Sequence, residues 1–338
     1  MDGTSDANGG HRFLHRRSAH GGAAKPDGVN ARPEWAPPIL RGDRLEAGLR
    51  TLELEVRRRL DGLLQGNHLG LVPGPGSEPG EARPYQPGDD VRRMDWAVTA
   101  RTTVPHIRET VADRELETWV VADLSASLDF GTAFCEKRDL VVCAVAAIAH
   151  LTGGGGNRLG ALVSTGATTR RLPPMGGLQH ARGLVRKIAE TPRAEEGTRG
   201  DLAEAIEQLR RPPRRRGLAV VISDFLGGME WQRPLRALSA RHELVAIEVL
   251  DPRDVDLPDV GTVVLADPET GKQREVHASA LLRKEFGAAA RAHREEVAAG
   301  LRRAGAGHLV LRTDSDWIAD MVRFVVARKR GWSGGGRA

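Results

Sequence analysis

Two periods of apolar spacing run along this chain. Leu45, Leu49, Leu52, Val56, Leu60 and Leu63 recur at intervals of four and three, the spacing of one face of a helix, which should pack on a larger body. After residue 115 the pattern changes to short continuous apolar runs: WVVADLS, RLGALVST, GLAVVISD, HELVAIEVL and HLVLRT. Between them lie helical stretches near residues 134–151, 180–190, 201–210, 231–240, 279–303 and 316–328. Strand-length runs without alternation belong to strands covered on both faces, and their alternation with helices predicts an α/β fold: a doubly wound, mainly parallel sheet with right-handed crossovers. Residues 262–265 and 274–277, flanking DPETGK, predict an added hairpin.

The same pattern divides the chain. Residues 1–38 are rich in Gly, Ala, Asp, Asn, His and Arg without apolar periodicity and predict a disordered tail. The amphipathic helix falls in 39–68. Residues 69–115, with LVPGPGSEPG and RPYQPGDDVRRMDWAVTAR, alternate turns with short extended pieces and predict a small module. There Asp89, Asp90 and Asp95 are expected to pair with Arg83, Arg92, Arg93 and Arg101 as a clamp on the main domain, which spans 116–330. Residues 331–338 form a flexible tail.

Composition narrows the function classes. The longest mainly apolar run, 140–151, is far shorter than the roughly 20 residues of a membrane span. No signal-peptide pattern opens the chain, which points to a cytoplasmic protein. Cys135 and Cys143, eight apart in an expected helix, would lie roughly 12 Å from each other, too far for a disulfide. They read as reduced core residues. Fifty Lys and Arg against 45 Asp and Glu give a formal net charge of +5, too mild to indicate nucleic acid. The run Arg210 to Arg216 lacks interleaved aromatic residues for base stacking and reads as a solvated loop. The glycines at 153–156 follow a helix and read as its stop, not as a phosphate cradle.

The chemistry gathers at strand ends. Asp123-Leu124-Ser125-Ala126-Ser127 closes the first run and Asp224 closes GLAVVISD. In a doubly wound sheet ligands sit at the C-terminal strand ends, so two carboxylates and two hydroxyls are expected at one crevice. Hard oxygen donors of this kind suit Mg²⁺ or Mn²⁺.

The D-x-S-x-S pattern resembles the metal-ion-dependent adhesion site of the von Willebrand factor A fold. By that resemblance Ser125 and Ser127 bind the metal directly, Asp123 and Asp224 act largely through water, and a threonine from a later loop completes the set. Relatives carry that threonine directly before an Asp/Asn-Leu/Ile pair. Here Gly200 precedes Asp201-Leu202, and Thr198, two residues earlier, is the stand-in. The longer string RPYQPGDDVRRMDWAVTAR, followed by DLSAS and Phe130-Gly131, is similar to the bacterial family called domain of unknown function 58, over residues 69–328. Its members are von Willebrand A-like proteins often encoded beside MoxR-type AAA+ ATPases. The resemblance implies a non-enzymatic adaptor whose metal receives an acidic side chain of a protein partner, such as that ATPase or its client.

Two other classes compete. In a metal-independent scaffold the aspartate and serines only shape and cap loops. A metal-dependent phosphohydrolase would also place an aspartate after the first strand, but its motif wants a second aspartate two residues on, where Ser125 stands.

Overall fold

A computed structural model describes residues 32–63, 82–85, 94–108, 116–153, 156–195, 197–198, 200–210, 217–266, 270 and 272–334. Residues 1–31 of the expected tail, 86–93 of the clamp, most of the arginine run and 335–338 lie outside them. The expected tail extends to residue 38, yet Ala36 and Leu40 are buried and Trp35 packs edge-on against Phe134 at 5.1 Å between ring centroids. The folded body therefore includes this segment.

The amphipathic period forms α1 (Leu45–Leu63), which buries Leu52, Val56 and Leu60. Of the small module, β1 (Ala82–Pro84) pairs antiparallel with β2 (His106–Arg108), and α2 (Trp96–Thr102) lies between them in sequence. Asp95 caps α2, accepting from the amides of Ala97 and Val98 at 3.1 Å. That is the role its place before a helix dictates.

The main sheet is built from β3 (Glu117–Asp123), β4 (Arg158–Ser164), β5 (Thr169–Gly176), β6 (Gly217–Ser223), β7 (His242–Leu250) and β10 (Gly307–Arg312). Its order is β10-β7-β6-β3-β4-β5, with every pair parallel except the antiparallel β4–β5. The fold is thus α/β with a mostly parallel mixed sheet. The expected hairpin is present as β8 (Thr262–Ala266) and β9 (Gln273–His277).

Alternate residues of the central strands feed two cores. Val120, Ala122, Val220, Ile222, Val245 and Ile247 face the layer of α1, α3 (Lys137–Thr152), α4 (Leu178–Ala189) and α8 (Trp317–Gly334). Trp119, Val121, Ala219, Val221, Leu244 and Ala246 face α5 (Leu202–Arg210), α6 (Gln232–Ser239) and α7 (Ala280–Arg303). Both faces are covered, which is why these strands read as continuous apolar runs.

Two expectations need correction. Residues 169–176 carry no continuous apolar run, and their strand was not anticipated. β5 is an exposed edge, where Pro173 and Pro174 cost no central ladder bond. Helix α3 begins at Lys137, three residues after the expected start, so Cys135 lies ahead of it. Both cysteines are free thiols, and burial pushes each well above its ordinary range.

Candidate functional site

The chain runs from β3 outward through β4 and β5, then crosses back to β6 and continues through β7 and β10 on the other side. The order reverses between β3 and β6, and their C-terminal ends open a crevice there. A cavity of about 420 Å³ occupies it, lined by Asp123, Ser125 and Ser127 after β3, Gly200 to Ala203 at the start of α5, and Ser223, Asp224, Phe225, Gly227, Gly228, Glu230 and Trp231 after β6.

Local hydrogen bonds fix these groups. The Asp123 carboxylate accepts from the Ser125 amide at 2.9 Å on Oδ1 and from the Ser223 hydroxyl at 2.7 Å on Oδ2. Ser223 Oγ in turn accepts from the Phe225 amide at 3.1 Å. The turn brings Ser125 Oγ and Ser127 Oγ within 3.3 Å of each other, and both serines are buried. Asp224 Oδ1 accepts from the Leu226 amide at 3.2 Å. Burial and the charge of Asp224 raise the Asp123 carboxyl above its usual range, against the lowering bonds from Ser223 and Ser125.

A residue that sequence reasoning missed stands behind Asp224. Lys137, at the first position of α3, is fully buried, and its Nζ lies 2.8 Å from Asp224 Oδ2 and 3.2 Å from Asp254 Oδ2. Burial pulls its pKa down, but the Asp224 and Asp254 carboxylates outweigh that and hold it above the ordinary lysine value, so the ammonium stays charged. No local signal pointed to it, because α3 opens with Lys137, Arg138 and Asp139 and its first turn already carries an anion. Asp254 accepts from the Asp251 amide at 2.8 Å, and Asp251 accepts from Thr132 and Thr313, so the loops after β3, β6, β7 and β10 share one buried polar network.

On the opposite helical layer, α7 anchors the turn after β6. Arg294 donates to the Asp224 carbonyl at 2.9 Å, and His293 Nε2 lies 2.8 Å from the Phe225 carbonyl oxygen. Phe225 has φ +51°, unusual for a non-glycine residue, and its ring packs on Trp231 at 5.2 Å. Arg294 also pairs with the buried Glu248, which lies 2.8 Å from His308 Nε2.

Of the five expected ligand residues, Asp123, Ser125, Ser127 and Asp224 converge on the cavity, whereas Thr198 is not among its lining residues. Gly200 takes the place beside Ser125: a Cβ there would lie 3.0 Å from Ser125 Cβ and 3.4 Å from Ser125 Oγ. Asp201 opens α5 as its N-cap, accepting from the Glu204 amide at 2.8 Å. Among the described residues no group of three or more His, Cys, Asp or Glu could hold a metal ion, so a cation here would depend on the serine hydroxyls. Those hydroxyls fit one: adjacent ligands of an octahedral Mg²⁺ at 2.0–2.1 Å are about 3 Å apart, close to the separation of Ser125 Oγ and Ser127 Oγ.

The fold and site define an α/β sheet protein with an acid-and-hydroxyl crevice at its topological switch point. More particularly, the chain belongs to the family described as protein of unknown function DUF58, whose model matches residues 81–296. It is similar to uncharacterized proteins of Mycobacterium tuberculosis and Mycobacterium bovis, each 64% identical over 299 residues, covering 87% of this chain and 94% of the relative. Among solved structures, the conserved hypothetical protein BatB from Bacteroides thetaiotaomicron aligns with 64% of this chain and 99% of its own at 12% identity and a TM-score of 0.38. Among the described residues no helix is long and apolar enough to cross a membrane.

Proposed function

We propose that this protein is a non-enzymatic, von Willebrand factor A-like adaptor whose crevice takes Mg²⁺ or Mn²⁺ and, through it, an acidic side chain of a protein partner. The observation that carries the reading is the pair of buried hydroxyls, Ser125 and Ser127, 3.3 Å apart beside Asp123 and facing Asp224 across the switch-point cavity. The two serines offer neutral oxygens. The Asp123 carboxylate is oriented by the Ser125 amide and the Ser223 hydroxyl, and a carboxylate has about four lone-pair sites, enough to serve water as well. A divalent cation held mainly by neutral oxygens supplies an electrophilic position for an outside carboxylate. The partner class, a MoxR-type AAA+ ATPase or its client, rests on the resemblance of the Y-x-P-G-D-D-x-R-x-x-D-W string and on family membership.

Thermal unfolding with and without millimolar Mg²⁺ or Mn²⁺ tests the cation, because a ligand of the native state alone raises stability by RT ln(1 + [L]/Kd). Wild type should shift upward and Asp123→Ala should not. Pull-down of the ATPase by wild type and by the Ser125→Ala, Ser127→Ala double variant tests the partner. Equal recovery in chelator and in Mg²⁺, undiminished in the variant, would refute metal-mediated binding.

One observation favours a second reading, a metal-independent scaffold: the ammonium of Lys137 already neutralises part of the charge on Asp224. That reading expects unchanged melting across a wide metal range. A phosphohydrolase reading finds no second aspartate at Ser125, and purified protein should hydrolyse neither ATP nor a generic phosphate ester.

A further inference from the structure

Behind the crevice one buried ammonium, that of Lys137, serves two buried carboxylates, Asp224 and Asp254. Neither Lys137 nor Asp254 lines the cavity. Lys137 reaches the site only through Asp224, whose Oδ2 it holds at 2.8 Å, and it shares its charge with Asp254 at 3.2 Å on the far side. Both Lys137 and Asp254 are essentially without solvent exposure, so water screens their field poorly.

We infer that Lys137 is a positioning residue that sets the cation affinity of the crevice, holding Asp224 from behind and opposing an incoming divalent ion, with Asp254 as the counterweight that limits this opposition. The inference rests on the cation reading of the site given above. It explains how one carboxylate can serve both a buried ammonium and a cation site: Asp254 draws part of the lysine's charge away from Asp224. Two substitutions outside the cavity should then act in opposite directions. Lys137→Met removes the competing positive charge beside Asp224 Oδ2. Asp254→Asn keeps an acceptor for the Asp251 amide and removes the negative charge that shares the ammonium with Asp224.

The test is direct Mn²⁺ binding by the full chain, counted from the loss of the free-ion signal in electron paramagnetic resonance, for wild type, Lys137→Met, Lys137→Arg and Asp254→Asn. Affinity should rise on the order of tenfold in Lys137→Met and fall on the order of tenfold in Asp254→Asn, with Lys137→Arg close to wild type. A purely structural role predicts loss in every variant, because each disturbs the same network. Equal or uniformly weakened binding in the variants, with wild type still binding, would overturn the inference and leave the cation reading intact. Absence of Mn²⁺ binding in all four proteins would overturn both. Binding gained only in Lys137→Met would support the opposition by Lys137 and overturn the cation reading of the wild-type crevice. Should Lys137→Met not fold, weaker binding in Asp254→Asn with Lys137→Arg close to wild type supports the inference, and unchanged binding in Asp254→Asn, or loss in both variants, sinks it.

Discussion

The ammonium of Lys137 and the carboxylate of Asp224 meet at 2.8 Å across 87 positions of sequence, both buried, joining the first turn of α3 to the end of β6. Taking one partner from a buried ion pair leaves the other uncompensated, at a cost of about 3–5 kcal/mol. Lys137→Met, which takes the ammonium from two buried carboxylates, is expected to lose stability in that range in urea denaturation without metal. Asp254→Asn should lose much less, since Lys137 keeps Asp224. A loss below about 1 kcal/mol in Lys137→Met would mean that the pair is not held as described.

Gly200 leaves room beside Ser125 where family resemblance expects a threonine. Gly200→Thr should enlarge the Mg²⁺-dependent rise in melting temperature. The cost falls on the metal-free protein: the new Cβ would sit 3.0 Å from that of Ser125, close enough that the turn must give slightly. Gly200→Ala meets the same contact without a hydroxyl, so it should show the cost and not the gain. Equal metal responses in the two variants would assign no ligand role to position 200.

His242 starts β7 beside Gly217, at the strand ends opposite the crevice. Burial holds its imidazole below the ordinary value, although the Glu117 carboxylate works the other way. A base with a lowered folded pKa stays neutral in the native state while the unfolded chain takes up a proton below about pH 6.5. Stability should therefore fall as pH drops from about 6.5 toward the folded pKa. His242→Gln should reduce that slope in denaturation midpoints measured between about pH 5 and 7.5, relative to wild type. Parallel profiles for the two proteins would exclude this source.

Gly131 packs so tightly that a Cβ would run into the Cys135 carbonyl oxygen and lie 2.5 Å from Glu136 Cα. The turn it permits lets the Lys137 amide donate to the Phe130 carbonyl at 2.8 Å and so sets where α3 begins. Gly131→Ala is expected to cost about 2 kcal/mol or more, seen as a melting-temperature drop of roughly 5 °C. An unchanged melting temperature would show that the turn relaxes freely.

The sequence made the layered architecture legible where burial was complete. The central strands, buried on both faces, appear as WVVAD and GLAVVIS and need no alternation to be found. β5 has no such run because only Leu172 along it is buried, among arginines, prolines, small residues and an exposed Met175 at an edge. Strand-end logic placed Asp123, Ser125, Ser127 and Asp224 together, since parallel pairing of β3 and β6 brings their C-terminal ends side by side. Lys137 stayed hidden because its acceptors lie 87 and 117 residues away, and nothing local announces so distant a pairing. Thr198 was a choice between neighbouring loop residues that only the loop's path could decide, and that path brings Gly200 to the cavity.

The anchoring of the β6 turn by α7 also bears on the timing of synthesis. Every candidate ligand has been made once Asp224 is added to the growing chain, yet His293 and Arg294, which hold the carbonyls of Phe225 and Asp224, come about seventy residues later. Chains emerge from the ribosome at about 5–20 residues per second, and domains fold as units. The crevice therefore waits several seconds for its last supports, with Phe225 lacking the contacts that hold its left-handed backbone. A nascent chain arrested before α7 would carry the whole D-x-S-x-S and Asp224 set without its finished shape.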